Sequence, residues 1–394
     1  MTTKLEVTDA KVGNQNKIPF KSMFNFNVKT YTMVFALVSI WLIFTFATNG
    51  DFLSSRNLSN LFRQMSITGI LSIGMVFVII AGHIDLSVGS LMGLLGGIAA
   101  ITNVWFKVDG ILAMGITLLV GLCIGLFNGW LIAYKKIPSF IVTLGGLLVF
   151  RGILVGVTKG TTVASLSPEI RFLGNAYLIN GIGIFLGVLA IVGIVYASVS
   201  GRKLRAQYGL AVTPLPVEIL KIVSSAALII LLITILNSYQ GFPVPVVILA
   251  VLAVIFSYIL KKAVFGRRVY AIGGNIEAAK LSGINVNKMT LSIFAINGFL
   301  VAIAGILLCS RLNAASVAAG QNAEMDAIAA CVIGGASLMG GVGSVGGAIV
   351  GALVMASLDN GMSMLNIETF WQYIVKGSIL VLAVWVDIAT KNKK

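Results

Sequence analysis

The chain has 394 residues, 58% of them hydrophobic and only 10% charged, with a mean hydropathy of +1.01. That composition excludes an ordinary soluble globule and describes a polytopic membrane protein, whose helices satisfy their own backbone hydrogen bonds where water is absent. The net charge of +15 would suggest nucleic acid in a soluble chain; here the test is where the basic residues fall relative to the apolar runs.

Residues 1–30 are polar, carry five lysines and lack the short apolar core and small-residue cleavage site of a signal peptide, so they are read as a cytoplasmic tail. Apolar runs then follow at about 31–48, 65–82, 86–105, 111–134, 139–158, 181–198, 219–237, 244–260, 289–309, 326–338, 342–358 and 371–389. At about 20 apolar residues per crossing, region 31–389 is predicted to be an all-α, polytopic membrane helical bundle of about 10–12 transmembrane helices, some short or broken. The short tenth and eleventh runs fit either two crossings or one re-entrant hairpin, and the parity is the same.

Alternating the runs across the bilayer puts Arg56, Arg63, Lys107, Lys159, Arg171 and Arg311 outside, and Arg151 and Lys376 within spans. Every other member of the 28 lysines and arginines falls inside. These include Lys135, Lys136, the GRKLR segment of a 199–218 loop, the basic 261–288 loop and the 390–394 tail. This positive-inside bias predicts a multi-pass protein of the cell (inner or plasma) membrane with both termini cytoplasmic.

Cys123, Cys309 and Cys331 all lie in apolar runs without a CxxC spacing and are read as buried structural thiols. His83 is the sole histidine, which argues against a histidine metal cluster or a Ser-His-Asp triad. Gly89, Gly93 and Gly97 in one span and Gly121, Gly125 and Gly129 in the next recur every fourth residue, the spacing that lets membrane helices approach closely. Gly341, Gly343 and Gly346 in GVGSVG match a dinucleotide fingerprint in form, but no βαβ context accompanies them. A bend between two short helices is the better reading. No GxxxxGK[ST] occurs, so any ATP used must bind another chain.

Polar groups inside apolar runs are candidates for a substrate path. Asp85 and Ser87 interrupt the pattern between the second and third runs, where an ionisable group must be offset by partners or water. The alternative is an Asp capping a broken helix. Asn128 and Asn297 suit hydrogen bonding to a passing polar solute or to a neighbouring helix. Glu324 and Asp326 stand at the mouth of the tenth run, as contacts for an external partner or as interface markers. Lys376 either snorkels or pairs with Asp359.

The basic island KKAVFGRRVYAIGGNIEAAKLSGINVNK, residues 261–288, contains a local helix signal. Asn275 is a good N-cap, Glu277 suits the first turn, Ala278 and Ala279 are strong helix formers, and Gly283 is a natural stop. The resulting two-turn helix is either a docking surface for a cytoplasmic partner or part of a solvated loop that only sets topology.

The segment FGRRVYAIGGNIEAAKLSGINV at 265–286 resembles the coupling loop of the membrane permeases of bacterial monosaccharide ATP-binding-cassette (ABC) importers, the ribose, galactose and xylose group. GHIDLSVGS at 82–90, PSFIVTLGG at 138–146, FRGI at 150–153, GTTV at 160–163, DAIAACVIGG at 326–335, SLDNGMSM at 357–364 and FWQYIVKG at 370–377 are similar to family segments in the same order. NGW at 128–130 and the long stretch from Ser165 to Gln240 resemble the xylose branch. His83 departs from it, standing where an acidic residue is expected.

The resemblance implies a sugar-import pore, most simply for D-xylose, formed by two copies of the chain and without catalytic chemistry of its own. Cytoplasmic ATPase subunits holding ATP and Mg2+ would dock below, and an extracytoplasmic sugar-binding protein would deliver ligand. The coupling role carries over to Asn275, Glu277, Ala278, Ala279, Ser282 and Gly283. A proton-coupled secondary sugar transporter would call for an ionisable relay, of which only Asp85 stands out. A membrane enzyme would call for a clustered acid, base or nucleophile, which the sequence does not offer.

Overall fold

A computed structural model of the protein describes residues 28–210, 212 and 214–391. Most of the predicted tails at 1–30 and 390–394 lies outside these residues, and what is described of them is helical. Along the chain come α1 (Val28–Ala47), α2 (Ser55–Ile80), α3 (Val88–Val104), α4 (Gly110–Ala133), α5 (Ser139–Thr158) and the short α6 (Pro168–Asn175). Then follow α7 (Asn180–Gln207), α8 (Leu215–Asn237), α9 (Val244–Lys261), α10 (Val264–Gly274) and α11 (Ile276–Leu281). The last four are α12 (Val286–Leu312), α13 (Ala323–Ile333), α14 (Val345–Met364) and α15 (Thr369–Lys391). Two-residue strands add small antiparallel clips: β1 (Val163–Ala164) pairs with β4 (Ala314–Ala315), and β2 (Tyr177–Leu178) with β3 (Phe242–Pro243).

Eight of the described helices are long and apolar enough to cross a membrane, namely α2, α4, α5, α7, α8, α9, α12 and α14. Shorter apolar stretches in α1, α3 and α15 bring the bundle into the predicted range. Helix starts follow local chemistry. Ser54, Asp109, Asn285 and Ser344 each accept a first-turn N–H with their side chain, and Pro216 and Pro245 occupy first-turn positions of α8 and α9, where no partner for the missing N–H is needed.

Three boundaries differ from expectation. Helix α2 starts at Ser55, not near residue 65, because the Ser54 cap lets a polar first section wind. Helix α7 continues through the GRKLR segment to Gln207, so much of the predicted 199–218 loop is helical, with Arg202 paired to Glu218 of α8 at 2.7 Å. The basic island holds α10 as well as the expected short helix.

Helices α2 and α12 are largely buried and form the centre, whereas α7 and α8 pack on each other and leave most of their surface exposed. The glycine spacing read in the sequence is a packing seam. A Cβ on Gly125 would fall 2.3 Å from the Phe294 carbonyl oxygen, and one on Gly298 would fall 2.3 Å from that of Gly121. The backbones of α4 and α12 touch only because side chains are absent. On the opposite side of α4, Cys123 is exposed, which corrects the reading of three buried thiols; Cys309 and Cys331 are buried.

Helix α13 spans 11 residues, about 16 Å at 1.5 Å per residue and only half a crossing. Its turn reaches the end of α2, where Gly341 N–H donates to the Ile80 carbonyl at 2.9 Å. Helix α14 then runs back beside α2 to Asn360, whose amide exchanges hydrogen bonds of 2.9 and 3.0 Å with Asn57. The pair is therefore a hairpin of one short and one full-length helix, with its turn at the Ile80 end of α2. GVGSVG is the bend and start of α14, and no strand adjoins it among the described residues.

Replacing Gly125 with Val is expected to cost about 1–3 kcal/mol of stability through overpacking, read as an earlier thermal transition of the detergent-solubilised protein. Gly115→Val, on the same helix but facing open space, should leave the transition unchanged; equal behaviour of the two variants would remove the seam.

Candidate functional site

Two regions combine the sequence-selected residues: a broken backbone within the bundle and a helical pair at one end of it. The break follows α2. Gly82, at φ +81°, closes that helix with a left-handed residue; its N–H donates to the Ile79 carbonyl at 2.9 Å and the next N–H, of His83, to Val78 at 3.0 Å. This Schellman-type stop needs a residue without a Cβ penalty. The chain then runs irregularly through Ala81–Ser87 before α3 begins.

Asp85 is 2% exposed in this break. One carboxylate oxygen accepts the Ser87 N–H at 2.9 Å and the Ser87 hydroxyl at 2.6 Å, and the other accepts the Asn297 amide from the middle of α12 at 2.8 Å. The structure thus brings Asp85, Ser87 and Asn297 together: Asp85 holds the N–H of Ser87, the residue that precedes the first turn of α3, and is tied to α12 as well. The Asn297 oxygen has no hydrogen-bond partner and rests on Gly74, where a Cβ would fall 2.3 Å from it. Ile84 is tied to α5, its N–H facing the Ser139 hydroxyl at 3.5 Å and its carbonyl the Thr143 hydroxyl at 3.4 Å. Asn128 is buried on α4 but is not a partner of this cluster.

Charges lie around the break. Glu324 is 5% exposed, not at an open mouth, because α13 starts inside the bundle and sets this carboxylate against Gly89 of α3. Arg151 of α5 donates to the Val317 and Ala319 carbonyls of the segment that precedes α13. Asp326 is also internal; Lys376 of α15 contacts it at 3.1 Å and Asp359 of α14 at 2.7 Å. The expected Lys376–Asp359 pair is present, extended by Asp326.

At the opposite pole of the bundle from the Asn57–Asn360 contact lie α10 and α11. Asn275 accepts the Ala278 N–H at 2.9 Å, as a cap should. Ala279 faces inward at 3% exposure, the Ser282 hydroxyl bonds the Ala278 carbonyl at 2.8 Å, and Gly283 ends the helix at φ +79°. Glu277 is exposed and pairs with Lys280 at 2.7 Å. Sequence reasoning missed Leu281, which at 90% exposure is the most protruding large hydrophobic described, and Ile276 beside it. The available signal was periodicity: with Ala279 inward, position 281 lies about 200° round the helix and turns outward.

Asp85→Ala leaves the buried Asn297 amide and the Ser87 hydroxyl without their acceptor and is expected to cost about 1–3 kcal/mol, seen as a lower melting temperature of the purified protein. Asp85→Asn should recover much of that loss, and an unaltered melt for Asp85→Ala would show that the carboxylate is not a structural tie.

Comparison with known proteins places this architecture. A family model described as the permease component of a branched-chain amino acid transport system matches residues 57–384. The chain is 56% identical over 367 residues to the xylose transport system permease protein XylH of Haemophilus influenzae, covering 93% of this chain and 98% of that one. It is 51% identical over 392 residues to XylH of Escherichia coli K12, covering 99% and 100%. The ribose import permease protein RbsC of Haemophilus influenzae is 36% identical over 346 residues, covering 88% and 89%. No solved structure matches. With a helical bundle matched across nearly its whole length, the chain belongs to this family of transport-system permeases.

Proposed function

We propose that the chain is the pore-forming permease of an ATP-driven importer that carries D-xylose into the cytoplasm. The observation that carries the reading is near-full-length identity of 51–56% to permeases named for xylose transport, against 34–36% to those named for ribose import. A ribose or galactose permease of the same family is the second reading, and the ribose relatives favour it only at that lower identity.

In this reading two copies of the chain enclose the path, and hydrolysis of ATP with Mg2+ takes place on separate cytoplasmic subunits. An extracytoplasmic sugar-binding protein supplies the ligand. The α11 helix, with Asn275, Glu277, Ala278, Ala279, Ser282 and Gly283, receives the movement of the ATPase pair. Its stiff caps suit it to pass on a push, since packed helices respond to displacement as rigid bodies. The broken segment with Asp85, Ser87 and Asn297 is the polar station of the pathway, with Asn128 a further candidate. Carboxylate, hydroxyl and amide groups exchange hydrogen bonds with sugar hydroxyls, and a route for passage works best when such binding is weak.

Labelled xylose, ribose and galactose uptake in a deletion strain tests the substrate: restored xylose uptake without comparable ribose or galactose uptake is expected, and a preference for another sugar would overturn the assignment. Co-purification of an ATPase separates this reading from a proton-coupled carrier. Glu277→Arg and Gly283→Arg are expected to lower sugar-stimulated ATP hydrolysis by about tenfold, as disruption of a hot-spot contact does, while membrane insertion stays normal. Undiminished uptake in both variants would remove the coupling role of α11.

A further inference from the structure

We propose that the turn at residues 337–342, between α13 and α14, is a second docking element for the same ATPase, with Met339 entering the partner surface beside Leu281. This rests on the reading that α11 meets that ATPase. Met339 is 81% exposed, second only to Leu281 among the described large hydrophobics. Both apolar knobs stand at the same end of the bundle, because the turn is built directly onto α10 where it leads into α11.

The contact is backbone against backbone. A Cβ on Gly273 would fall 1.6 Å from the Ile80 carbonyl oxygen and 2.6 Å from Gly341 N, and one on Gly340 would fall 2.7 Å from the Gly273 carbonyl oxygen. Gly340 and Gly341 both hold left-handed backbone, at φ +86° and +72°, so the turn depends on glycine for its conformation as well as its space. Ser337 N–H donates to Val342 at 3.0 Å, Met339 N–H donates to the Ser337 hydroxyl at 3.2 Å, and the Tyr270 hydroxyl of α10 donates to Gly343 at 2.7 Å. Burial pushes the Tyr270 phenol above its ordinary pKa and keeps it a donor. Met339 therefore projects from a fixed support.

The partner's chemistry follows from the surroundings. The segments that carry α10 and α11 expose Lys261, Lys262, Arg267, Arg268 and Lys280, and Gly274 joins the turn to the residue that caps α11. Leu281 and Met339 fit a protein surface with two apolar pockets rimmed by acidic side chains. The turn also touches Ile80, the last residue of α2 before the break that holds Asp85. A push on Met339 thus reaches the break and both arms of the α13–α14 hairpin through contacts already closed.

The test uses the assembled complex of permease and co-purifying ATPase, in a Cys123→Ser background that removes the exposed native thiol. Met339→Cys, Leu281→Cys and, at the other end of the bundle, Leu53→Cys are each labelled with a benzophenone maleimide and irradiated. Photoadducts with the ATPase polypeptide are expected from the first two and not the third. Adducts from Leu281→Cys alone, or adducts of the Met339→Cys protein only with a second permease copy or lipid, overturn the second docking element and leave the coupling role of α11 standing. Absence of ATPase adducts from both positions overturns the two together. As a functional arm, Met339→Glu should lower sugar-stimulated ATP hydrolysis about fivefold or more, the mark of a buried anchor; unchanged stimulation counts against the proposal.

Discussion

Hydrocarbon offers no partner to a peptide group, so every irregular residue at membrane depth must be satisfied from within the protein. The segment Ala81–Ser87 meets that demand by borrowing from three helices. Gly82 ends α2, Ser139 and Thr143 of α5 face the Ile84 peptide groups, and Asn297 of α12 binds Asp85, which in turn holds Ser87 at the head of α3. Four helices are thereby referred to one point. The glycine seams serve the same requirement, since Asn297 reaches Asp85 only because α12 lies against Gly74 and against the bare flank of α4.

The charged residues within the spans act as ties between elements. Lys376 joins α15 to both arms of the α13–α14 hairpin through Asp326 and Asp359, and Arg151 fastens α5 to the segment leading into that hairpin. Removing one member of such a set strands the other charge in a poorly solvating medium, which is why a buried pair is costly to break even when its net contribution is small. The hairpin is consequently held at both ends, by charge near its outer ends and by glycine backbone at its turn.

Much of this was legible in the sequence. Twelve apolar runs correspond to twelve helices because hydrocarbon thickness imposes a length that composition records, and Asn275, Glu277 and Gly283 announced α11 by capping chemistry that acts within a few residues. The fourfold glycine spacing at Gly121, Gly125 and Gly129 likewise foretold close contact, though not with which helix. What escaped depends on distant parts of the chain. The pairing of Asp85 with Asn297 joins residues 212 positions apart, and the burial of Glu324 depends on where the half-length α13 begins. Helix α10 was hidden because GRR and GG read locally as loop, whereas its stability comes from packing Val269 and Ile272 inward. Leu281 was overlooked because one leucine in an apolar-rich chain carries no signal until its neighbours are known to point elsewhere.

The loosely attached pair α7 and α8 has a different significance. These helices bury little of themselves, and their described ties to the rest include the β2–β3 clip and a hydrogen bond of 2.7 Å between Ser238 and Ser55. Without close packing there is little to constrain the identity of their outward residues beyond oiliness. Their main geometric effect is to lengthen the protein's perimeter in the bilayer. Each chain therefore presents more apolar surface than its core requires, and wherever lipid covers it the energetics of that boundary depend on acyl-chain length and order as much as on any residue of the path.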